Sequence, residues 1–199
     1  MSKSGQYNYA GINAQAWAAM SLFLQLVRDP KFSYIHLEAT GFDDFNLVYD
    51  DGRKLICESK DRGRSFSYPD LKEVLRKITS RGTIGDHDEI LIICRRANEN
   101  LVSQVKNIKY FDYIKKTFQN KHYDQQDIDL LPRVKFWIVS ASFNAEVIYS
   151  LFTELINFWL PPEEIKRFVD CILVQKIYKG SSKGNVYKKT DLINEINKF

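Results

Sequence analysis

Two short apolar runs restrict the fold more than any other feature of this sequence. The runs are Glu89–Cys94 (EILIIC) and Val134–Ser140 (VKFWIVS), and both are rich in β-branched or aromatic side chains. A short run that polar residues barely interrupt is typical of a strand buried on both faces. Such a strand needs helices on both sides of its sheet. The chain is therefore predicted to fold as an α/β domain.

Further segments complete the predicted order of elements. Three segments with β character precede the first apolar run, and the second and third are separated by Asp50-Asp51-Gly52, a strong hairpin signal. The order α-β-β-β-α-β-α-β-α-α predicts a mixed central sheet with helices on both faces and additional helices at the C-terminal end. The predicted strands are 33–39, 42–49, 54–60, 89–94 and 134–140, and the predicted helices are 12–28, 70–80, 100–119, 144–159 and 162–178.

Size and composition limit the class of protein. The chain has 199 residues, of which 44% are hydrophobic, enough to bury a core and too many for a disordered chain. Three cysteines without CxxC spacing exclude a disulfide scaffold and favour a reducing compartment. No apolar run approaches the roughly 20 residues that cross a bilayer, and the polar N-terminus does not resemble a signal peptide. We predict a cytoplasmic protein with no membrane partner.

The predicted domain organisation follows from the composition of the C-terminal part. Residues 1–180 are predicted to form one domain, because no repeat or low-complexity tract divides them. Residues 181–199 are predicted to be a basic linker followed by the start of a further helix. This pattern favours a domain that was taken from a longer protein.

Charge is unevenly distributed along the chain. The formal net charge is only +4, yet residues 52–81 contain nine Lys or Arg and four acids and so carry +5. An acidic patch lies just before this basic segment and contains Asp43, Asp44, Asp50 and Asp51. Acid next to base is the arrangement that a metal site facing a polyanion requires, although solvated loops often look similar.

One acid-x-Lys triplet stands in a context that favours chemistry. The chain contains four such triplets, against about two expected by chance, and only Glu58-Ser59-Lys60 lies on a predicted strand. Side chains two apart on a strand project from the same face, and the hairpin brings Asp44 towards Glu58. Two carboxylates and the Ser59 carbonyl are hard oxygen ligands suited to Mg²⁺. Lys60 would then orient or deprotonate a metal-bound water.

This arrangement resembles the PD-(D/E)XK nuclease superfamily, the restriction-endonuclease-like fold. The resemblance covers roughly residues 10–140 and implies metal ligands at Asp44 and Glu58 and a catalytic lysine at Lys60. It further implies catalytic support from Gln15 on the first helix and from Glu38 on the first strand. Within the superfamily, the chain looks most like the N-terminal effector nuclease domains of bacterial antiviral STAND NTPases and nucleotide-activated CBASS effectors.

The resemblance implies a function. We expect a Mg²⁺-dependent (or Mn²⁺-dependent) endonuclease that hydrolyses phosphodiester bonds of double-stranded DNA in anti-phage defence. Cutting both strands needs two sites, so a homo-oligomer is expected, and an NTPase or sensor region would follow in the native chain. Arg62 and Arg64 directly follow the candidate site and are predicted to contact phosphates, although a solvated loop would look the same.

Three alternatives stay open at the level of sequence. Asp43 replaces Asp44 as ligand if the strand parity is shifted, although Asp43 shares its face with an apolar stripe that starts at Phe45. Glu58 and Lys60 could form only a surface ion pair, worth about 0–1 kcal/mol. The whole domain could also be a catalytically inactive nuclease-like fold that binds nucleic acid or a protein partner.

Overall fold

The computed structural model describes residues 18–37, 45–60, 63–80, 84–139, 145–156, 161–168 and 186–197. The described elements are six strands and eight helices, and the first three strands follow one another directly, as the sequence predicts. The strands are β1 (Phe32–Leu37), β2 (Phe45–Tyr49), β3 (Lys54–Lys60), β4 (Glu89–Cys94), β5 (Val134–Ile138) and β6 (Val186–Lys188). The helices are α1 (18–26), α2 (Tyr68–Thr79), α3 (Glu99–Asn107), α4 (Asp112–Asn120), α5 (Gln125–Leu130), α6 (Ala145–Ile156), α7 (Pro162–Phe168) and α8 (Lys189–Ile196), with a 3-10 turn at Leu131–Arg133.

The strands form one six-stranded sheet in the order β5-β4-β3-β2-β1-β6. Strand β1 runs antiparallel to both β2 and β6, whereas β3, β4 and β5 run parallel to one another. The sheet is therefore mixed, and the predicted mixed α/β fold is confirmed. None of the helices within the described ranges is long and apolar enough to cross a membrane.

The chain divides into two compact units, and the first contains the parallel strands. This unit spans Lys54–Ser140 and holds β3, β4 and β5 with helices α2 to α5. Helix α2 is amphipathic, because its buried apolar residues recur every three or four positions. Those residues pack against the buried side chains of β3, β4 and α3 to α5. The centre of this core contains Ile56, Leu71, Val74, Leu75, Ile78, Ile90, Ile92, Leu101 and Phe118.

Three aromatic side chains pack together in the hydrophobic core of this unit. Phe118 is fully buried, and its ring centroid lies 5.7 Å from Tyr68 and 5.0 Å from Tyr123. The Tyr123 hydroxyl donates a hydrogen bond of 2.5 Å to the backbone carbonyl of Tyr68. Helices α2 and α4 are therefore joined to the chain segment before α5 by both packing and a hydrogen bond.

The second unit contains Met1–Arg53 and Ala141–Phe199. Helix α1 packs through Phe23, whose ring lies 5.7 Å from Phe32 on β1 and 5.4 Å from Tyr187 on β6. The hairpin after β2 turns at Gly52, where φ is +82°, a conformation that favours glycine. Val186–Lys188 lies in the segment predicted as a linker and pairs with β1. The predicted domain boundary at residue 180 stays a prediction.

Several element boundaries differ from the sequence-based expectation. Residues 100–119 form two helices, and the turn at Ile108–Phe111 separates them. Helix α5 was not predicted. Helix α2 begins earlier than expected, because Ser67 is its N-cap and Asp70 takes the third helical position of a capping box. The predicted helix at 162–178 is described only for Pro162–Phe168.

Candidate functional site

Strand β3 places a carboxylate in the interior of the parallel unit. Ile56 and Glu58 share one face of the strand, and Ile56 belongs to the core that packs against α2. The Glu58 side chain carries a carboxyl group and is nevertheless only 1% exposed. Lys60, two residues further on the same face, is the last residue of β3. A buried charge of this kind requires charged partners.

Two lysines supply those partners. Lys60 Nζ lies 2.5 Å from Glu58 Oε1, and Lys77 Nζ on α2 lies 2.9 Å from Oε1 and 3.0 Å from Oε2. The side chains of Lys60 and Lys77 are 19% and 27% exposed, so both ammonium groups retain some access to solvent. We call Glu58, Lys60 and Lys77 the lysine cluster. Two positive charges around one negative charge leave it with a net charge of +1.

The geometry of the lysine cluster excludes one alternative for Glu58 and Lys60, the surface ion pair. The pair is not a solvated surface ion pair, because Glu58 is buried. Taking a carboxylate out of water is costly and is repaid only where hydrogen bonds satisfy both oxygens, as Lys60 and Lys77 do here. An ammonium group has three N–H donors, so each lysine keeps donors beyond those that it gives to Glu58. The cluster can therefore hold an anionic group.

The described residues alone do not supply a site for a divalent cation. Both Glu58 oxygens accept hydrogen bonds from ammonium groups, which leaves this carboxylate poorly placed to ligate Mg²⁺. Within the described ranges, no three His, Cys, Asp or Glu side chains come together as metal ligands would. The predicted second ligand, Asp44, lies outside the described residues. The Mg²⁺ or Mn²⁺ site therefore stays a prediction.

The structure places only part of the predicted site. Glu58 and Lys60 are brought together, as their spacing on the strand predicts. Arg64 is described and forms a two-pronged interaction with Asp70, in which both N–O distances are 2.6 Å. The Arg64 side chain is 57% exposed, so one face of its guanidinium reaches solvent. Outside the described residues lie the predicted catalytic residues Gln15, Glu38 and Asp44, the alternative ligand Asp43 and the predicted phosphate contact Arg62.

Sequence analysis missed Lys77. Its neighbours Val74 and Ile78 are buried on the face of α2 that packs against the sheet, so Lys77 lies at the edge of that face. A basic residue next to an apolar stripe reads from sequence as a solvated lysine, because the carboxylate that it meets is 19 positions away. The available signal was an acid on a strand expected to be buried, since a buried charge must be paired and a nearby basic helix can supply a partner.

The carboxylate of Asp70 joins the segment after β3 to α2. Burial raises the pKa of Asp70, but hydrogen bonds from Arg64 and from the Ser67 side chain and backbone lower it further, to about 2. The folded state therefore binds this proton less readily than the unfolded chain does. The stabilisation is fully present above the unfolded pKa near 4 and is lost as the pH falls towards 2.

Asp70→Asn is expected to destabilise the protein by about 1–2 kcal/mol at pH 6. The full pKa shift would give more, but the exposed guanidinium of Arg64 is screened by solvent. Urea unfolding of both proteins from pH 6 to pH 2 should show the difference shrinking below about pH 4. Ser67→Ala, which removes one donor, should move that loss to higher pH. An unchanged difference at pH 2 would contradict this role.

Comparison with known proteins gives structural similarity only. No family model matches the chain, and no curated protein matches its sequence. Among solved structures, a SAVED/CARF-domain containing receptor, Acinetobacter baumannii Cap4, solved with the cyclic trinucleotide 3'3'3'-cAAA, is 16% identical with a TM-score of 0.71. The same receptor with 2'3'3'-cAAA is 17% identical with a TM-score of 0.71. The corresponding Moraxella osloensis receptor is 16% identical with a TM-score of 0.64.

Each of these matches covers 94% of the chain but only 44% to 46% of the receptor. The chain therefore spans less than half the length of these receptors. At this level of identity the similarity shows a shared fold.

This comparison corrects the sequence-based interpretation. The prediction of a PD-(D/E)XK nuclease domain of the STAND or CBASS type is wrong, because the structures that share this fold are described as receptors, two of them with cyclic trinucleotides. The Mg²⁺-dependent endonuclease activity loses its support with the family. The predicted partners, double-stranded DNA and a homo-oligomer that cuts both of its strands, lose their support as well. The contacts of Glu58 agree with this correction, because its buried carboxylate oxygens are bound by the ammonium groups of Lys60 and Lys77.

Proposed function

We propose that this chain is a non-catalytic binding domain of an oligonucleotide receptor in antiviral defence and that it holds a phosphate of the ligand at the lysine cluster. A binding domain without catalysis is the second of the two functions that the sequence leaves open. The fold shared with receptors that were solved with cyclic trinucleotides supports the class of ligand. A cytoplasmic location is part of the proposal.

The observation that carries the proposal is the pair of lysines around one buried carboxylate. Glu58 holds both ammonium groups in place, at 2.5 Å and 2.9 Å from the same oxygen, before any ligand arrives. A phosphate oxygen then accepts charge-assisted hydrogen bonds from Lys60 and Lys77 without reordering either side chain. The excess positive charge of the cluster favours an anion over a neutral ligand.

Isothermal titration calorimetry with 3'3'3'-cyclic triadenylate tests the site. Lys60→Ala and Lys77→Ala are each expected to weaken binding about tenfold or more, because a hydrogen bond between charged groups contributes roughly 1.5–3 kcal/mol. Lys135→Ala is the matched control, since Lys135 pairs with Glu89 at 2.7 Å on the exposed surface and lies outside the cluster. Linear triadenylate serves as a second probe that carries the same phosphates without the ring.

Three outcomes would overturn the proposal. The first is absence of binding to both oligonucleotides, and the second is equal affinities in the wild type and both cluster variants. The third concerns catalysis: the protein is incubated with Mg²⁺ or Mn²⁺ and with either cyclic triadenylate or plasmid DNA, and the products are separated. Hydrolysis of either substrate that Lys60→Ala abolishes would contradict a non-catalytic domain.

A further inference from the structure

The turn between α3 and α4 exposes three aromatic side chains within four residues. Tyr110 is 74% exposed, Phe111 48% and Tyr113 64%. We call these three residues the aromatic platform. Single exposed apolar side chains are common on proteins, but a cluster of rings indicates a surface that binds something.

Buried neighbours and backbone hydrogen bonds fix the backbone of the aromatic platform. Ile108 and Ile114 flank it and are buried, at 1% and 2% exposure. The Tyr110 N–H donates to the Asn107 carbonyl at 2.9 Å, and the Ile114 N–H donates to the Phe111 carbonyl at 3.1 Å. The rings of Phe111 and Tyr113 lie 5.6 Å apart. The backbone that carries the rings is therefore fixed, and two of the rings already contact each other, which reduces the entropic cost of stacking a ligand on them.

Lysines surround the platform. Residues 106–116 contain four lysines and one aspartate, a net charge of +3 in a chain whose total is +4. The single acid, Asp112, is neutralised by Lys115 at 3.0 Å. Lys109 directly precedes Tyr110, Lys116 follows Tyr113 by three positions, and both lysines are exposed. The surface is therefore complementary to a polyanion that also carries flat aromatic groups.

A groove extends this surface along α3. Its volume is about 390 Å³, within the range of small-ligand pockets. Lys106 and Asn107 line the groove and directly precede the turn that carries the aromatic platform. Ala97, Glu99, Val102, Ser103 and Ile138 also line it, so the groove offers apolar and polar groups and one carboxylate, at its end away from the platform in sequence. A ligand longer than one nucleotide would find further contacts beside the platform.

We propose that the aromatic platform binds single-stranded nucleic acid, with bases stacked on its rings and phosphates held by Lys109 and Lys116. Proteins that bind single strands combine these two elements, exposed aromatic rings and a basic track. Duplex DNA does not fit, because its bases are already stacked on one another. An acidic protein partner would use the lysines but has no general need for three adjacent rings. The site shares no residue with the lysine cluster and stands apart from the proposed receptor function.

Fluorescence anisotropy with a fluorescein-labelled dT12 oligonucleotide tests the proposal. A twelve-residue abasic strand is the matched probe, since it has the same phosphates and no bases. We expect dT12 to bind at least tenfold more tightly than the abasic strand. The double variant Tyr110→Ala/Tyr113→Ala should weaken dT12 binding about tenfold or more and leave the abasic strand unaffected. Tyr110→Phe/Tyr113→Phe keeps the rings and should bind like the wild type.

The lysines are tested through salt dependence. Lys109→Ala/Lys116→Ala should lower the slope of log Kd against log salt by about 1.4, because each phosphate contact on a single strand contributes about 0.7. Lys135→Ala removes an exposed lysine that pairs with Glu89 and lies outside both sites, and it should leave dT12 binding unchanged. Equal affinity for dT12 and the abasic strand would overturn the proposal, because it would show that phosphates alone are bound and that no base stacks on the rings. Unchanged dT12 binding by the Tyr110→Ala/Tyr113→Ala protein would overturn it too.

Discussion

Glu58→Ala is expected to lower the free energy of unfolding by about 3 kcal/mol. The variant leaves Lys60 and Lys77 close together without the carboxylate that neutralises them. Removing one partner of a buried ion pair typically costs about 3–5 kcal/mol, and the lower end applies because these lysines keep 19% and 27% exposure. Urea unfolding at pH 7, followed by far-UV circular dichroism, measures the difference.

An exposed ion pair in the same unit provides the control. Glu89 lies 2.7 Å from Lys135, with side chains 41% and 58% exposed, so Glu89→Ala should cost less than about 1 kcal/mol. Adding Lys60→Met and Lys77→Met to Glu58→Ala should recover part of the lost stability, because no unpaired charge then stays buried. A Glu58→Ala protein no less stable than Glu89→Ala would show that the buried carboxylate is not held as described.

Phe118→Ala is expected to cost about 4 kcal/mol of unfolding free energy. Phe118 is fully buried. Its ring contacts Tyr68 and Tyr123 and lies among the buried residues of α2 to α5. Truncation removes the transfer free energy of the ring and leaves a cavity that four helices can only partly close. Thermal and urea unfolding at pH 7 both measure the loss.

Phe111→Ala is the matched control for this substitution. Phe111 stands seven positions earlier and is 48% exposed, so the same change of side chain should cost only a few tenths of a kcal/mol. Phe118→Leu keeps most of the volume and should lie between the two. If Phe118→Ala and Phe111→Ala were equally stable, the ring cluster would not be the centre of this core.

Much of the fold follows from local pattern. Strand β3 has the predicted bounds, Lys54–Lys60, because a hairpin turn fixes its start and apolar residues mark its buried positions. The apolar run at Glu89–Cys94 likewise forms β4 as predicted. In both strands, the residues that mark where the strand begins or ends are combined with a clear pattern of buried apolar positions. Where these two signals coincide, the sequence alone predicts the bounds of the strand.

The break between α3 and α4 could not be predicted in the same way. No proline or glycine interrupts residues 100–119, and the apolar positions continue through Ile108 and Ile114. Helix α3 nevertheless ends at Asn107, and the backbone is extended at Phe111, the N-cap of α4, with φ −139° and ψ 108°. Tertiary packing of two buried isoleucines on either side of the turn outweighs helix propensity here.

The candidate site shows the same division between local and long-range information. The contact between Glu58 and Lys60 depends only on the alternation of a strand and was predicted. The contact with Lys77 depends on how α2 lies against that strand, which no local pattern encodes. The function was inferred from three positions, and Asp44 lies outside the described residues. Three positions, two of them in a triplet that is common by chance, do not define a catalytic site.

Cys94, the last residue of β4, determines how the end of the parallel strands near Lys60 responds to oxidants. It pairs in register with Lys60 on the neighbouring strand, and burial raises the pKa of its thiol to about 11. At neutral pH the sulfur is therefore protonated and a poor nucleophile, since oxidants and alkylating agents attack the thiolate. Because Cys94 is also only 4% exposed, its thiol is expected to react slowly with peroxide and with disulfides, although it lies beside the lysine cluster.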